Sequence, residues 1–101
     1  MCLQYLKNSM GGAITVSEND IIASISELAS NSGIFCEPAA AIGCAGLKLG
    51  LESKLIDKGE RVVLLLTGNG LKDIGSAEKS IIIPKAIEAD ISELLKIPGL
   101  I

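Results

Sequence analysis

Residues 61–70 read RVVLLLTGNG, and this stretch decides how the rest of the chain is interpreted. The run from Val62 to Leu66 is continuously apolar, which is typical of a strand buried on both faces within a parallel sheet. The TGNG that follows, from Thr67 to Gly70, would then lie at the carboxyl end of that strand. Ligands of open α/β sheets bind beyond the carboxyl ends of the strands, so these four residues form a candidate binding turn.

The turn offers few groups that could bind a ligand. Thr67 carries one hydroxyl that can donate or accept a hydrogen bond, and Gly68 and Gly70 allow the backbone to turn sharply and to approach a ligand closely. A plain hairpin is the alternative, because Asn-Gly is also a hairpin signal, although 71–74 is a poor partner strand. The turn is not a phosphate-binding loop: it is not GxxxxGK(S/T), and Asp73 stands where GxGxxG needs its third glycine.

Two helices are predicted before this strand. The first follows Ser17, a suitable N-cap, carries apolar residues at helical spacing and stops at the Asn-Ser-Gly of 31–33. The second is predicted over 38–55, with Pro38 at its first position. It is apolar on several faces, which predicts burial on several sides and a place in the interior of a larger structure.

Weaker elements complete the pattern. Short strands are predicted over 13–16 and 81–83, and a last helix over 85–96. Helices between parallel strands define an α/β architecture. A length of 101 residues allows one domain at most, so residues 1–101 are interpreted as a single α/β segment.

The composition excludes several classes of function. Nine Lys and Arg against twelve Asp and Glu give a net charge of −3, which argues against nucleic acid and anionic membranes as partners. The chain has no histidine, so the commonest general base is missing and no metal site is expected. Three cysteines without CxxC spacing predict reduced thiols in a cytoplasmic protein, with Cys36 and Cys44 as small buried side chains. The apolar stretch 38–47 is too short to span a bilayer.

The segment 33–40 provides a second candidate site. Its Glu37 stands at the start of the second helix, where a carboxylate commonly interacts favourably with the helix dipole. A binding role for Glu37 requires that it face the same crevice as Thr67. The lysines are expected to be solvated, and Lys72 is singled out because it lies close to the Thr67 turn.

Three blocks of the sequence resemble threonine synthases. Residues 11–21, GGAITVSENDI, resemble that family's GG-x-V-x-V-S-D-E-E-I stretch. Residues 33–41, GIFCEPAAA, are similar to its GIFVEPASA, and residues 60–73, ERVVLLLTGNGLKD, to its ERVVVVLTGHGLKD. The spacing of the blocks also fits, and the resemblance covers residues 8–75 well and the remainder loosely. TGNGLKD is fairly specific to threonine synthase, whereas EP(A/S)A occurs more widely in the same pyridoxal-phosphate (PLP) fold.

The resemblance implies a fold of the tryptophan-synthase-β type with PLP as cofactor. The implied reaction is a lyase reaction of amino-acid biosynthesis, which converts O-phospho-L-homoserine and water into L-threonine and phosphate. Thr67 matches the threonine whose hydroxyl hydrogen-bonds the pyridine nitrogen of PLP. Gly68, Asn69 and Gly70 would line the cofactor side of the turn, with Asn69 in place of a frequent histidine. Glu37 matches a glutamate that lies near the cofactor ring.

Other parts of the family's site are missing from this sequence. The Schiff-base lysine of threonine synthases lies in an SFKDRG-like motif, and no lysine here has that context. The glycine-rich loop that holds the PLP phosphate is also missing. The chain is therefore interpreted as the C-terminal third of a threonine synthase that acts on a small-molecule substrate. By itself it is expected to be inactive and to form homo-oligomers that cover its apolar faces.

Two alternatives remain open at this point. The first is a fragment of a threonine or serine dehydratase, although those enzymes usually carry Ser or Cys at the nitrogen-binding position and lack GLKD. The second is a standalone, non-catalytic α/β module that self-associates.

Overall fold

Helices account for the regular structure of the chain. The computed structural model describes residues 1–99. Its elements are α1 (Cys2–Asn8), α2 (Glu18–Ser32), α3 (Pro38–Glu52), a 3₁₀ turn (Gly70–Lys72), α4 (Ile74–Glu78) and α5 (Ile91–Leu94). The main tertiary contact is between α2 and α3, which have 15 residues each.

Helix α2 forms where the sequence predicts it. The Ser17 hydroxyl accepts a hydrogen bond from the backbone N–H of Asp20 at 3.2 Å, which satisfies one of the free donors of the first turn. The helix ends at Gly33, whose φ of 70° is left-handed and whose N–H donates to the Ala29 carbonyl at 3.0 Å. Both the N-cap and the stop signal are confirmed.

Helix α3 begins at Pro38 as predicted but ends at Glu52, before the expected boundary at 55. The chain leaves the helix through Lys54, which has a φ of 57°. The next N–H, of Leu55, donates to the Gly50 carbonyl at 2.9 Å. This left-handed cap closes the helix although neither Pro nor Gly stands there to mark its end.

The interface between α2 and α3 is built from small side chains. Three buried residues of α3 are alanines: Ala40, Ala41 and Ala45. Ile25 of α2 is 1% exposed and packs in the same cluster as Ala40 and Ala41. Because these side chains are short, the two helix backbones approach closely. The stability of this core therefore depends on close packing rather than on large apolar side chains.

Another face of α3 carries three glycines that receive side chains from neighbouring segments. A Cβ at Gly43 would lie 3.3 Å from Leu64, and a Cβ at Gly46 would lie 3.5 Å from Ile14. Gly50 faces Ile56 in the same way. Segments 13–16 and 61–66 therefore both lie against α3.

The predicted strands are not formed in the described part of the chain. Residues 13–16, 61–66 and 81–83 have no regular structure, and the β-pairing within residues 1–99 is an isolated antiparallel bridge between Cys36 and Asn69. A strand needs a neighbouring strand to take up its N–H and C=O groups. An apolar run specifies burial but does not supply that neighbour, so the parallel-strand arrangement is not confirmed.

The run 61–66 nevertheless has the exposure pattern of a strand. Val63 and Leu65 are 88% and 78% exposed, whereas the alternate residues Leu64 and Leu66 are partly buried. A period of two is the side-chain period of extended backbone. One side of this run therefore packs on the helices, and the opposite side is uncovered.

The chain is elongated and exposes much apolar surface. Its radius of gyration is 18.2 Å, whereas a compact domain of about 100 residues has a radius near 13 Å. The predicted helix over 85–96 is reduced to Ile91–Leu94, while α1 and α4 were not predicted. Within residues 1–99 no helix has the length and apolar character needed to cross a membrane.

Candidate functional site

Two segments that are distant in sequence are clamped together around Gly68. The backbone N–H of Gly70 donates to the Phe35 carbonyl, and that of Glu37 donates to the Gly68 carbonyl, each at 3.1 Å. This pair of bonds joins the start of α3 to the turn that follows the apolar run. The two segments that the sequence singles out, 33–40 and 67–70, thus form one site.

Glu37 connects three elements at this site. It is the N-cap residue of α3, and its carbonyl accepts from the N–H groups of Ala40 and Ala41 at 3.0 Å. Its side chain makes no capping bond to the helix. Instead, the carboxylate extends towards the 3₁₀ turn and pairs with the Lys72 ammonium at 3.2 Å. The carboxylate therefore interacts with the turn rather than with the first N–H groups of its own helix.

Only one partner of the ion pair, Glu37, is shielded from solvent. The Glu37 side chain is 18% exposed and the Lys72 side chain 66% exposed. Lys72 also contacts the second carboxylate oxygen of Glu37 at 3.3 Å. Its ammonium therefore faces both oxygens of a carboxylate that has little access to water.

Gly68 is required by the close approach of Glu37. A Cβ at position 68 would lie 1.8 Å from Oε1 of Glu37 and 2.1 Å from its Cδ, well inside van der Waals contact. Gly68 does not have a positive φ. The sequence predicted glycine here for a sharp turn and for close approach to a ligand, and in the structure it is the Glu37 side chain that approaches closely.

Gly70 has the same role on the other side of the clamp. A Cβ there would lie 2.5 Å from the ring of Phe35. Between these two glycines, Asn69 accepts a hydrogen bond from the N–H of Leu71 at 2.9 Å through its side-chain oxygen, and so caps the 3₁₀ turn. The turn is held by local bonds and by the two side chains that cover its glycines.

Asp73 follows Lys72 directly in the chain. It is the N-cap of α4, and its carboxylate accepts from the N–H of Ser76 at 3.1 Å. Hydrogen bonds from the Ser76 hydroxyl and then its N–H lower the pKa of Asp73 below its ordinary value. Lys72 is thus held between two capped turns.

Thr67 directly precedes the clamp, and its side chain is exposed. Two apolar cavities occur among residues 1–99. One of about 290 Å³ is bounded by residues 12–14 and α3, and another of about 260 Å³ lies between α2 and α4 and is also lined by Phe35 of the site. Thr67 lines neither of them, so the described residues provide one edge of a site rather than an enclosed pocket.

Of the three cysteines, Cys36 lies within the site, where it pairs with Asn69 in the isolated bridge. Cys36 is 1% exposed, and burial raises the pKa of its thiol above the usual value. Cys44 is half-buried and Cys2 is exposed. The predicted burial is confirmed for Cys36 and only partly met at Cys44. The sequence did not indicate that Phe35 covers Gly70 or that Lys72 pairs with Glu37.

The sequence of this chain is similar to those of known proteins. A family model described as pyridoxal-phosphate dependent enzyme matches residues 1–68. The chain is 41% identical over 95 residues to the threonine synthase of Methanocaldococcus jannaschii, covering 94% of this chain and 24% of that protein. It is 40% identical over 79 residues to the threonine synthase of Halalkalibacterium halodurans, covering 78% of this chain and 22% of that protein.

A third relative, the threonine synthase of Mycobacterium leprae, is 30% identical over 95 residues, which are 94% of this chain and 26% of that protein. The chain thus spans about a quarter of the length of the curated relatives it matches. The resemblance to threonine synthases is confirmed over nearly the whole chain.

Proposed function

The chain belongs to the pyridoxal-phosphate dependent enzyme family, and from this premise we propose that it functions as part of a threonine synthase. In that enzyme it provides the pyridine-nitrogen side of the PLP site. The reaction is the conversion of O-phospho-L-homoserine and water into L-threonine and phosphate. The observation that carries the proposal is the Thr67 turn, in which an exposed hydroxyl precedes a glycine that is locked by Glu37.

The residues of this turn fit one edge of the cofactor. Bound PLP supplies an electron sink for the substrate. The Thr67 hydroxyl is neutral, so it can hydrogen-bond the ring nitrogen without holding a proton there as a carboxylate would. The lack of side chains at Gly68 and Gly70 keeps the turn thin and lets Glu37 and Phe35 lie against it. Asn69 and Glu37 complete the proposed set of residues around the ring.

The apolar segments 13–16 and 61–66 become parallel strands in this proposal. Support comes from their contacts with the glycines of α3 and from the alternating exposure of 61–66. Their uncovered sides would pair with, and be covered by, the remainder of a larger enzyme. The result is the α/β arrangement of the tryptophan-synthase-β type.

The isolated chain is proposed to be inactive. PLP chemistry of this kind needs a Schiff-base lysine, and none of the lysines in this sequence has the SFKDRG-like context. The remainder of the enzyme would provide that lysine and the loop for the PLP phosphate. We place the complete enzyme in the cytoplasm as a homo-oligomer, consistent with free cysteines and with the amount of apolar surface exposed here.

A chimeric enzyme tests the proposal. The segment of M. jannaschii threonine synthase that aligns with this chain would be replaced by residues of this chain, and the product would be tested for growth of a threonine auxotroph. We expect growth and the absorbance of bound PLP. Thr67→Val should abolish growth and change that absorbance, whereas Thr67→Ser, which keeps the hydroxyl, should retain both.

Thr15→Val is the matched control, because it makes the same substitution at the other threonine of the chain, which lies outside the turn. A Thr67→Val chimera with unchanged growth and spectrum would refute the assignment. Release of ammonia and a keto acid from threonine or serine, without threonine synthesis, would favour the dehydratase alternative.

The non-catalytic alternative is favoured by one observation, the exposed apolar surface. Val63, Leu65 and Ile82 are 88%, 78% and 95% exposed, which a soluble chain covers by association. Sedimentation of the isolated chain, with and without Val63→Lys, would measure this association. A monomer at high concentration would count against self-association.

A further inference from the structure

We infer that Lys72 is a positioning residue: it holds the Glu37 carboxylate against the binding turn and thereby fixes the turn that presents the Thr67 hydroxyl. The inference rests on the proposed function of this turn. It adds a role for a residue that does not itself contact the cofactor in the proposal. The contacts that support it run from the 3₁₀ turn to Glu37 and from Glu37 to Gly68.

The first step is the placement of Lys72 itself. Asn69 caps the 3₁₀ turn at its start, and the N–H of Lys72 donates to the Asn69 carbonyl at 3.1 Å. The next residue, Asp73, caps α4. Lys72 therefore stands on backbone that is fixed on both sides, so its long side chain starts from a defined position.

The second step is the restraint of the Glu37 side chain by Lys72. Its backbone is bonded to the Gly68 carbonyl, but its side chain has no bond to the helix that it caps. Among the described residues, the cation within reach of the carboxylate is Lys72, at 3.2 Å and 3.3 Å from its two oxygens. Without that cation, a carboxylate that is only 18% exposed would lack a partner. The Glu37 side chain would then no longer be restrained against Gly68, although its backbone would stay bonded to the turn.

The third step is the consequence for the ring nitrogen. With Lys72 in place, the negative charge of Glu37 is compensated beside the turn. Removal of the ammonium would leave an uncompensated carboxylate near Thr67, and a nearby negative charge favours a proton on a basic nitrogen. The neutral hydroxyl of Thr67 does not hold such a proton. Loss of Lys72 should therefore change the spectrum of bound PLP as well as the rate.

The experiment uses the full-length chimera described above, with Lys72→Met, Lys72→Arg and the control Lys58→Met. Lys58 is exposed and lies in the turn after α3, away from the site. Lys72→Met should lower kcat by roughly 10- to 100-fold, the range expected for a small misplacement of a reacting group. The KM for O-phospho-L-homoserine should change less than kcat, and the PLP absorbance should shift. Lys72→Arg should restore most of both, and Lys58→Met should match the parent.

The double variant Glu37→Gln with Lys72→Met separates the effect of charge from that of packing. It removes both charges while it keeps the volume of the Glu37 side chain. Its PLP absorbance should return towards that of the parent, because no uncompensated carboxylate remains. It also serves as the readout if the single Lys72→Met variant fails to fold.

The outcomes distinguish the two proposals. If Thr67→Val leaves activity and spectrum unchanged, the proposed function itself fails. If Thr67→Val is defective but Lys72→Met has the kcat and spectrum of the parent, only the inference about Lys72 fails. A Lys72→Met enzyme with a lower melting temperature but an unchanged kcat and spectrum per bound PLP would show a purely structural role and would also overturn it.

Discussion

Replacement of Gly68 by alanine tests the geometry of the site without any cofactor. The added methyl carbon would lie 1.8 Å from Oε1, 2.1 Å from Cδ and 2.6 Å from Cγ of Glu37. Three successive atoms of one side chain are too close, so a small rotation of the carboxylate does not relieve the clash. The whole Glu37 side chain must move away, and its ion pair with Lys72 is lost.

The magnitude follows from three contributions. Forcing a methyl group into a filled space costs about 1–3 kcal/mol of folding free energy. Loss of the ion pair costs up to about 1 kcal/mol of folding free energy, the range of a surface ion pair, because Lys72 is largely solvated. Against these, Gly→Ala at a position without positive φ stabilises by about 0.4–1 kcal/mol through the unfolded state. We expect Gly68→Ala to destabilise the chain by about 1–3 kcal/mol.

The assay is a double-mutant cycle in urea, followed by far-ultraviolet circular dichroism. Glu37→Ala removes all three atoms that the new methyl group would meet. Gly68→Ala should therefore be neutral or slightly stabilising in that background. Gly75→Ala is the matched control, because a Cβ at Gly75 in α4 would have no atom within 4 Å and alanine favours the helix.

Two results would contradict this reasoning. The first is additivity, with a coupling between the two substitutions below about 0.5 kcal/mol, since residues in direct contact do not behave independently. The second concerns hydrogen exchange at the Glu37 amide, which donates to the Gly68 carbonyl. Gly68→Ala should accelerate this exchange, and an unchanged rate would show that the clamp does not depend on the glycine.

Three further predictions concern the surroundings of the site. Gly33→Ala should destabilise the chain by about 1–2 kcal/mol in the same urea assay, because Gly33 has a φ of 70°; Gly33→Asn should cost less. Because the pKa of Asp73 is lowered on folding from 3.8, the stability that this group contributes is present above that pH and is lost as the pH falls through the folded-state pKa. The amide resonance of Ser76 should therefore shift below pH 3.8, and Asp73→Asn should remove that titration. Iodoacetamide should modify the exposed Cys2 well before Cys36, which is buried and has a raised pKa; equal rates by peptide mass spectrometry would contradict the burial.

The predictions that succeeded depend on short-range physics. The Ser17 cap, the Gly33 stop and Pro38 at the start of α3 each act within about one helical turn, so the local sequence contains the whole cause. The end of α3 was predicted too late in the chain. Its left-handed cap falls on Lys54, and lysine is not a residue type that indicates such a cap. The predicted strands are not confirmed, for the opposite reason. Their apolar runs were identified, but strand pairing depends on a partner that lies at a distance.

The sequence blocks indicate which two segments make up the candidate site, but they do not predict its internal geometry. Glu37 and Lys72 are 35 positions apart, and no periodic pattern links them. The sequence predicts glycine at 68 and 70 for a sharp turn and for close approach to a ligand, but it does not predict that side chains of this chain lie against both of them. A contact of this kind becomes visible only when the two segments are placed in space.

The position of Thr67 depends on how the run 61–66 is held. Leu64 packs on Gly43 of α3 and Leu66 on the core, while the opposite side of the run is uncovered. Immediately after the run, the bond between Glu37 and Gly68 fixes the backbone. Thr67 thus lies between a segment anchored on one side only and a turn that is firmly clamped. In the proposed enzyme, whatever covers Val63 and Leu65 should also fix the Thr67 hydroxyl, so formation of the proposed strand and completion of the proposed binding site should be one cooperative event.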